Sequence, residues 1–185
     1  EKPLTLSSKE ALKLPDNVFS VLQLRYHPEV IRLKNELKGN HKVNLVVKVK
    51  RDKSYWESWK GIEKLSGGIL FNLFIHYADI LLYLFNEKYK IISVETYTDK
   101  KAKGKIDFNG SLINFEVEIM NMDIGQTREL IIDDEKIILS RAENLSYENL
   151  HTKVYEEVKL GRGIKPEEAV KSIKLIEDIK DFTLV

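Results

Sequence analysis

Residues 104–121 read Gly-Lys-Ile-Asp-Phe-Asn-Gly-Ser-Leu-Ile-Asn-Phe-Glu-Val-Glu-Ile-Met-Asn. Ile113, Phe115, Val117 and Ile119 recur at every second position, with Glu116 and Glu118 between them. That is the period of a strand with one apolar and one polar face. Asp107–Gly110 supplies turn residues after an earlier strand, Gly104–Phe108. Strands joined by so short a turn pair antiparallel. The same signals place strands at about Lys90–Thr98, Thr127–Ile132 and Lys136–Leu139, the last two separated by Asp133-Asp134.

Downstream, helices are expected over about Tyr147–Leu160 and Pro166–Lys180. Gly161-Arg-Gly closes the first, and Pro166 with Glu167-Glu168 opens the second. Upstream, Val43–Arg51 alternates, with Val43, Leu45, Val47 and Val49 on the buried side. Ser54–Ser66 reads as an irregular loop carrying Tyr55, Trp56 and Trp59. Pro28 starts a helix to about Leu37, and Val18–Tyr26 reads as a strand from its β-branched and aromatic content. Ser7 or Ser8 caps a short helix over Lys9–Leu14, which Pro15 ends. Helices thus stand apart from a run of strands. The class is α+β, a mostly antiparallel open sheet with helices on one face.

The 185 residues suffice for one domain with a real core. Thirty basic against 29 acidic residues leave a net charge of +1, which argues against a large nucleic-acid footprint. Cysteine is absent, so disulfides, thiolate nucleophiles and zinc–thiolate sites are excluded. No His/Asp/Glu cluster has metal-site spacing, and no metal is expected. Ile69–Phe85 approaches membrane-span length, but Asn72, His76 and Asp79 are costly in lipid, so it reads as a buried helix and no membrane partner is expected. Asn86 suits a left-handed C-cap for it. No secretory signal is visible, and a reducing, cytoplasmic setting is compatible with the composition. The chain lacks an initiating methionine and reads as a piece of something longer.

The densest candidate chemistry is Gly67-Gly-Ile-Leu-Phe-Asn-Leu-Phe-Ile-His-Tyr-Ala-Asp79. Asn72 and His76 are four apart and share a helix face. Asp79 lies one turn beyond His76, where it would either fix the imidazole tautomer or cap a neighbouring loop. Arg25 and Tyr26 precede Pro28, and arginine suits a carboxylate or diphosphate bidentately; a surface ion pair is the competing reading. Trp59 suits stacking on a ring and Lys60 a carboxylate, against a plain loop anchor. His151 and Tyr155 share a helix face and read as structural, and His27, His41 and Glu29 as surface residues.

Four stretches, taken in order, resemble one known family. They are Glu1-Lys2-Pro3; Val21-Leu-Gln-Leu-Arg-Tyr-His-Pro28; Ser58-Trp-Lys-Gly61 with Ser66-Gly-Gly-Ile-Leu-Phe-Asn72 and His76; and Asn149-Leu-His-Thr-Lys-Val-Tyr155 with Gly161 and Gly163. Together they resemble the C-terminal domain of the glucose–fructose oxidoreductase / inositol dehydrogenase / rhizopine catabolism family, nearest to dehydrogenases acting at C3 of UDP-N-acetylglucosaminuronic acid in surface-polysaccharide synthesis. The resemblance implies a glyceraldehyde-3-phosphate dehydrogenase-like C-terminal fold. Residues 1–17 would be the end of a Rossmann-domain signature and linker, and residues 18–185 a substrate-binding and oligomerisation domain.

The same resemblance implies an NAD(P)-dependent oxidoreductase whose Rossmann domain is absent from this chain, which has no G-x-G-x-x-G. It makes Lys2 and His76 catalytic, and Arg25, Tyr26, Trp59, Lys60 and Asn72 substrate-binding, with Glu1 and Pro3 at the cofactor. The implied ligand is a nucleotide sugar or sugar. The implied assembly is a homo-oligomer, dimer or tetramer, formed through the open sheet face, with Ile113, Phe115, Val117 and Ile119 on the side so buried. From the pattern alone, which sheet face is covered stays open. Two departures stand out. Phe74 replaces a small residue and would fill cofactor or substrate space, and the stretch between Pro3 and Val18 is short. The rival reading is a free-standing, non-catalytic sugar-binding or oligomerisation module.

Overall fold

The computed structural model describes residues 2–120, 125–139 and 147–183. Its helices are α1 (Ser8–Ala11), α2 (Pro28–Glu36), α3 (Lys53–Glu57), α4 (Glu63–Ser66), α5 (Ile75–Phe85), α6 (Tyr147–Lys159) and α7 (Pro166–Phe182). Its strands are β1 (Lys42–Lys50), β2 (Lys90–Tyr97), β3 (Lys101–Phe108), β4 (Ser111–Met120), β5 (Thr127–Ile132) and β6 (Glu135–Ile138). They form one six-stranded sheet in the order β2-β3-β4-β1-β5-β6.

Every neighbouring pair is antiparallel except β1 and β4, which run parallel with Val43 opposite Ile113 and Val49 opposite Ile119. A parallel pair needs a long crossover. Here the chain between the two strands supplies it, passing through α3, α4, α5 and the β2–β3 hairpin. Because β1 and β4 point the same way, their C-terminal ends meet at one edge of the sheet. The β2–β3 pair carries register shifts at Ile91/Ser93 and Val94/Thr96. Beside them, a Cβ on Gly104 would lie 2.4 Å from the Ser93 carbonyl oxygen, so only glycine lets the strands approach.

The alternating apolar residues behave as their period dictates. Val43, Leu45, Val47 and Val49 of β1 and Ile113, Phe115, Val117 and Ile119 of β4 are all buried. Each such side chain contributes about 1.5–3 kcal/mol by leaving water. α5 lies in the helical layer over this face, with α2 and α7 against it and α1 against α7. The stretch Glu63–Phe85 is long and apolar enough to cross a membrane by composition, yet most of it is buried inside this core. Leu4 and Leu6 pack against the core too, and Ala11 is fully buried, so the segment before residue 18 is tied to the domain.

The opposite sheet face is charged, and the sign alternates from strand to strand. Glu95 of β2 meets Lys103 of β3 at 2.7 Å, and Lys101 of β3 meets Glu116 and Glu118 of β4 at 2.9 and 3.2 Å. Lys48 of β1 reaches Glu116 at 3.1 Å, and Lys136 of β6 reaches Glu129 of β5 at 2.7 Å. The sheet face left open by the pattern is thereby decided for Ile113, Phe115, Val117 and Ile119. They face the chain's own helices.

Other expectations also change. Val18–Tyr26 is not a strand. Ser20 makes a single bridge to Ile164, and Gln23–Tyr26 is a 3-10 turn. Ser20 to Leu24 are consecutively buried, so the run has no exposed alternate face to lay on a sheet and packs against α5 and α6 instead. The loop 54–66 is mostly helical turns, formed by α3, a 3-10 turn at Trp59–Gly61 and α4. Asp52 caps α3 by accepting from the Tyr55 amide at 3.1 Å. Asn86 has φ 113° and ψ 163°, positive but not left-handed helical. Its Oδ1 accepts from the Glu87 amide at 2.6 Å.

Candidate active site

The strand ends brought together by the parallel pair form the floor of a cavity of about 710 Å³. Val49 and Ile119 supply that floor. Arg51 follows β1, and Ser54 and Tyr55 come from α3. Trp59 and Lys60 come from the 3-10 turn, where Ser58 Oγ caps by accepting from the Lys60 amide at 3.3 Å. Asn72, Leu73 and Lys2 complete the wall.

Asn72 owes its position to a departure from α-helical winding. Leu70–Phe74 is a π turn running directly into α5. Such a turn inserts a residue and shifts the faces that follow, and it is common at functional sites. Asn72 is left half-buried, with Nδ2 donating to the Lys60 carbonyl at 3.0 Å, while its own carbonyl accepts from Lys2 Nζ. These bonds tie Lys2, Asn72 and the Trp59–Lys60 turn into one wall. Phe74 is turned the other way. Its ring is fully buried, 4.8 Å from that of Phe115, so it does not line the cavity as its bulk suggested.

His76 lies one helical turn beyond Asn72. It is half-buried, and Nδ1 is shut from solvent with no hydrogen-bond partner among the described residues. Burial, then the charges of Lys2 and His151, hold its pKa well below the ordinary imidazole range. A neutral imidazole with an unpartnered nitrogen can accept a proton or a hydroxyl hydrogen bond at neutral pH. Asp79 does not fix its tautomer, because both carboxylate oxygens belong to Arg25. Nε donates to Oδ2 and Nη2 to Oδ1, each at 2.7 Å.

The remaining predicted residues divide. Lys2, Trp59, Lys60 and Asn72 are brought together at the cavity, and Lys2 acts on His76 through its charge. Arg25 lies elsewhere, in a separate cleft with Lys34, Tyr83, Glu168 and Lys171, and its Nη1 reaches Glu168 at 2.5 Å. Tyr26 is also away from the cavity. Burial, followed by Glu157, raises its pKa. Pro3 follows a cis peptide bond from Lys2. Glu1 lies outside the described residues. No group of three or more His, Asp or Glu able to hold a metal occurs among the described residues.

Arg51, Ser54, Tyr55, Ser58 and Ile119 were not singled out by sequence as site residues, nor was His151 as a neighbour of His76. The strands carrying Val49 and Ile119 were legible, but their shared edge follows only from parallel pairing. Gly67 and Gly68 have φ of 77° and 76°. A Cβ on Gly67 would sit 2.5 Å from the Phe71 ring, and one on Gly68 3.1 Å from Glu63 Cγ. The space these glycines leave is filled by the chain's own side chains, so they form no dinucleotide cradle.

Residues 38–107 match the family described as an oxidoreductase family, C-terminal alpha/beta domain. Sheet, helical layer and match together define the class: the chain is similar to the C-terminal alpha/beta domain of that oxidoreductase family. Among solved structures it is similar to the WlbA (WbpB) dehydrogenase of Thermus thermophilus in complex with NAD and alpha-ketoglutarate, at 28% identity and TM-score 0.82, over 97% of this chain and 62% of that one. The same enzyme in complex with NAD and UDP-GlcNAcA aligns at 29% identity and TM-score 0.80, over 95% and 61%. The WlbA dehydrogenase of Bordetella pertussis shares the fold at 15% identity and TM-score 0.77, over 99% of this chain and 68% of that one. The chain thus spans about three fifths of the Thermus enzyme.

Proposed function

We propose that this chain is the substrate-binding and catalytic domain of an NAD(P)-dependent dehydrogenase that oxidises C3 of a UDP-N-acetylhexosaminuronic acid. The observation that carries the reading is the convergence of Lys2, Asn72, Trp59 and Lys60 on one cavity, with a neutral His76 one turn away. The two Thermus complexes named above support it.

Oxidising a carbinol removes a hydride and a proton. The nicotinamide, when bound, takes the hydride. On this reading a Rossmann domain outside this chain holds most of it. The proton is the task of this chain. Asn72 is an amide and cannot act as a base, so it orients the sugar. Lys2 and His76 are the proton acceptors, and the charge on Lys2 lowers the affinity of His76 for a proton. The same reading places the enzyme in cytoplasmic surface-polysaccharide synthesis, self-associating through the charged sheet face.

The test is NADH formation by the whole protein carrying this domain, supplied with UDP-N-acetylglucosaminuronate. Lys2→Ala and His76→Ala are each expected to lower kcat by about 10²–10⁴-fold, the range of acid–base catalysis. Activity unchanged in both variants, or no reduction of NAD at all, would sink the assignment in favour of a non-catalytic module.

A further inference from the structure

Among the cavity's described lining residues there are three cations, Lys2, Arg51 and Lys60, and no acidic side chain. Elsewhere in the domain three arginines are matched by carboxylates. Arg25 pairs with Asp79 and Glu168, Arg32 with Glu29, Glu36 and Glu135, and Arg162 with Glu157. Arg51 instead donates Nη1 to the Lys50 carbonyl at 3.1 Å and lies 5.4 Å over the Tyr55 ring. Lys60 lies 5.9 Å over the Trp59 ring, and Lys100 5.2 Å over the Trp56 ring nearby. None of these three cations has a carboxylate partner among the described residues. A planar guanidinium held on an aromatic face keeps its remaining N–H donors for a ligand.

Arg51 also follows directly from β1, one of the strands that makes the cavity floor. A rigid element therefore positions its backbone. Its fork matches a carboxylate bidentately, which a lysine cannot do. Beside it, Val49, Ile119 and Leu73 give an apolar surface for a sugar ring. The proposal rests on the nucleotide-sugar reading above and sharpens it. We infer that Arg51 is the specificity-determining residue that binds the sugar carboxylate, so that the site selects an acidic hexose over its neutral counterpart.

Of the chain's two tryptophans, Trp59 lines this cavity and Trp56 belongs to α3, whose Ser54 and Tyr55 line it, so intrinsic fluorescence is a suitable report of its occupancy. The experiment titrates the chain with UDP-N-acetylglucosaminuronate, UDP-N-acetylglucosamine and UDP, in wild type, Arg51→Gln and Arg51→Lys. The wild type is expected to bind the uronate roughly 10-fold to 100-fold tighter than the neutral sugar, as a charge-assisted pair implies. Arg51→Gln should collapse that ratio and leave neutral-sugar and UDP binding unchanged. Arg51→Lys, which keeps charge but loses the fork, should fall between. A ratio that survives in Arg51→Gln overturns the inference, and so does an equal loss for UDP, which would assign Arg51 to the diphosphate. If neither nucleotide sugar quenches the wild type, the functional reading itself fails and takes this inference with it.

Discussion

Asp79 is enclosed by the core, and both of its oxygens accept from the Arg25 fork. Burial pushes the carboxyl pKa up, and the adjacent guanidinium opposes that push. A buried ion pair adds little net stability, but removing one partner leaves a bare charge. Arg25→Met should therefore cost about 3–5 kcal/mol in a urea melt. Arg25→Met with Asp79→Leu should lose much less, giving a large favourable coupling in the double-mutant cycle. If the two losses simply add, the pair is not the structural unit described. Residue type alone offered arginine at a strand end as a sugar ligand. It could not reveal that an aspartate 54 positions later takes the same fork.

At the scale of elements, the turn entering α5 is the most constrained piece. Gly67 ends α4 in the left-handed region at φ 77°, and the Phe71 ring occupies the space where a Cβ would sit. Gly67→Ala should destabilise the domain by about 1–3 kcal/mol through backbone strain and displacement of Phe71. Because Phe71 leads the π turn into Asn72, the variant should also weaken the fluorescence response to nucleotide sugar. Gly161→Ala serves as a control, since its φ of 72° is equally strained but no atom lies within 4 Å of its Cβ. A purely local strain effect would make the two variants equal in stability and would leave ligand response intact in both.

Elements were legible where one period ran undisturbed. Val43 to Val49 and Ile113 to Ile119 alternate cleanly, and their strands fall within a residue or two of expectation. Val21 to Leu24 gave strand propensity without alternation, and packing on several sides made it a 3-10 turn. Propensity yields to tertiary burial in such runs. Of the candidate site, the Asn72–Lys60–Lys2 wall was visible through motifs. Arg51 and Tyr55 were hidden, because only the parallel β1–β4 register carries their strand end to the same cavity.

Across the whole molecule, the buried imidazoles set the response to acid. His27 is the N-cap of α2, its Nδ1 accepting from the Glu29 amide at 3.2 Å. Burial lowers its pKa, with Glu29 opposing, and His76 is lowered further. The unfolded chain then binds protons at about pH 6.5 that the folded chain refuses, so stability declines as pH falls through that value and toward the folded pKa values. A second decline follows at lower pH. The carboxyl groups of Glu63, held low by the Tyr97 hydroxyl, and of Glu116, held low by Lys101, must then be protonated. Lys101 lies in the alternating ladder of the open sheet face, so neutralising Glu116 weakens the pairing of Lys101 on β3 and Lys48 on β1. Thermal melts from pH 8 to pH 4 should show Tm falling in two stages. His27→Gln keeps an acceptor for the Glu29 amide while removing one titrating group, so it should flatten the upper stage and leave the lower one in place. A single decline confined to the carboxylate range would mean that the imidazoles titrate as freely folded as unfolded, and the burial argument for a neutral His76 would fall with it.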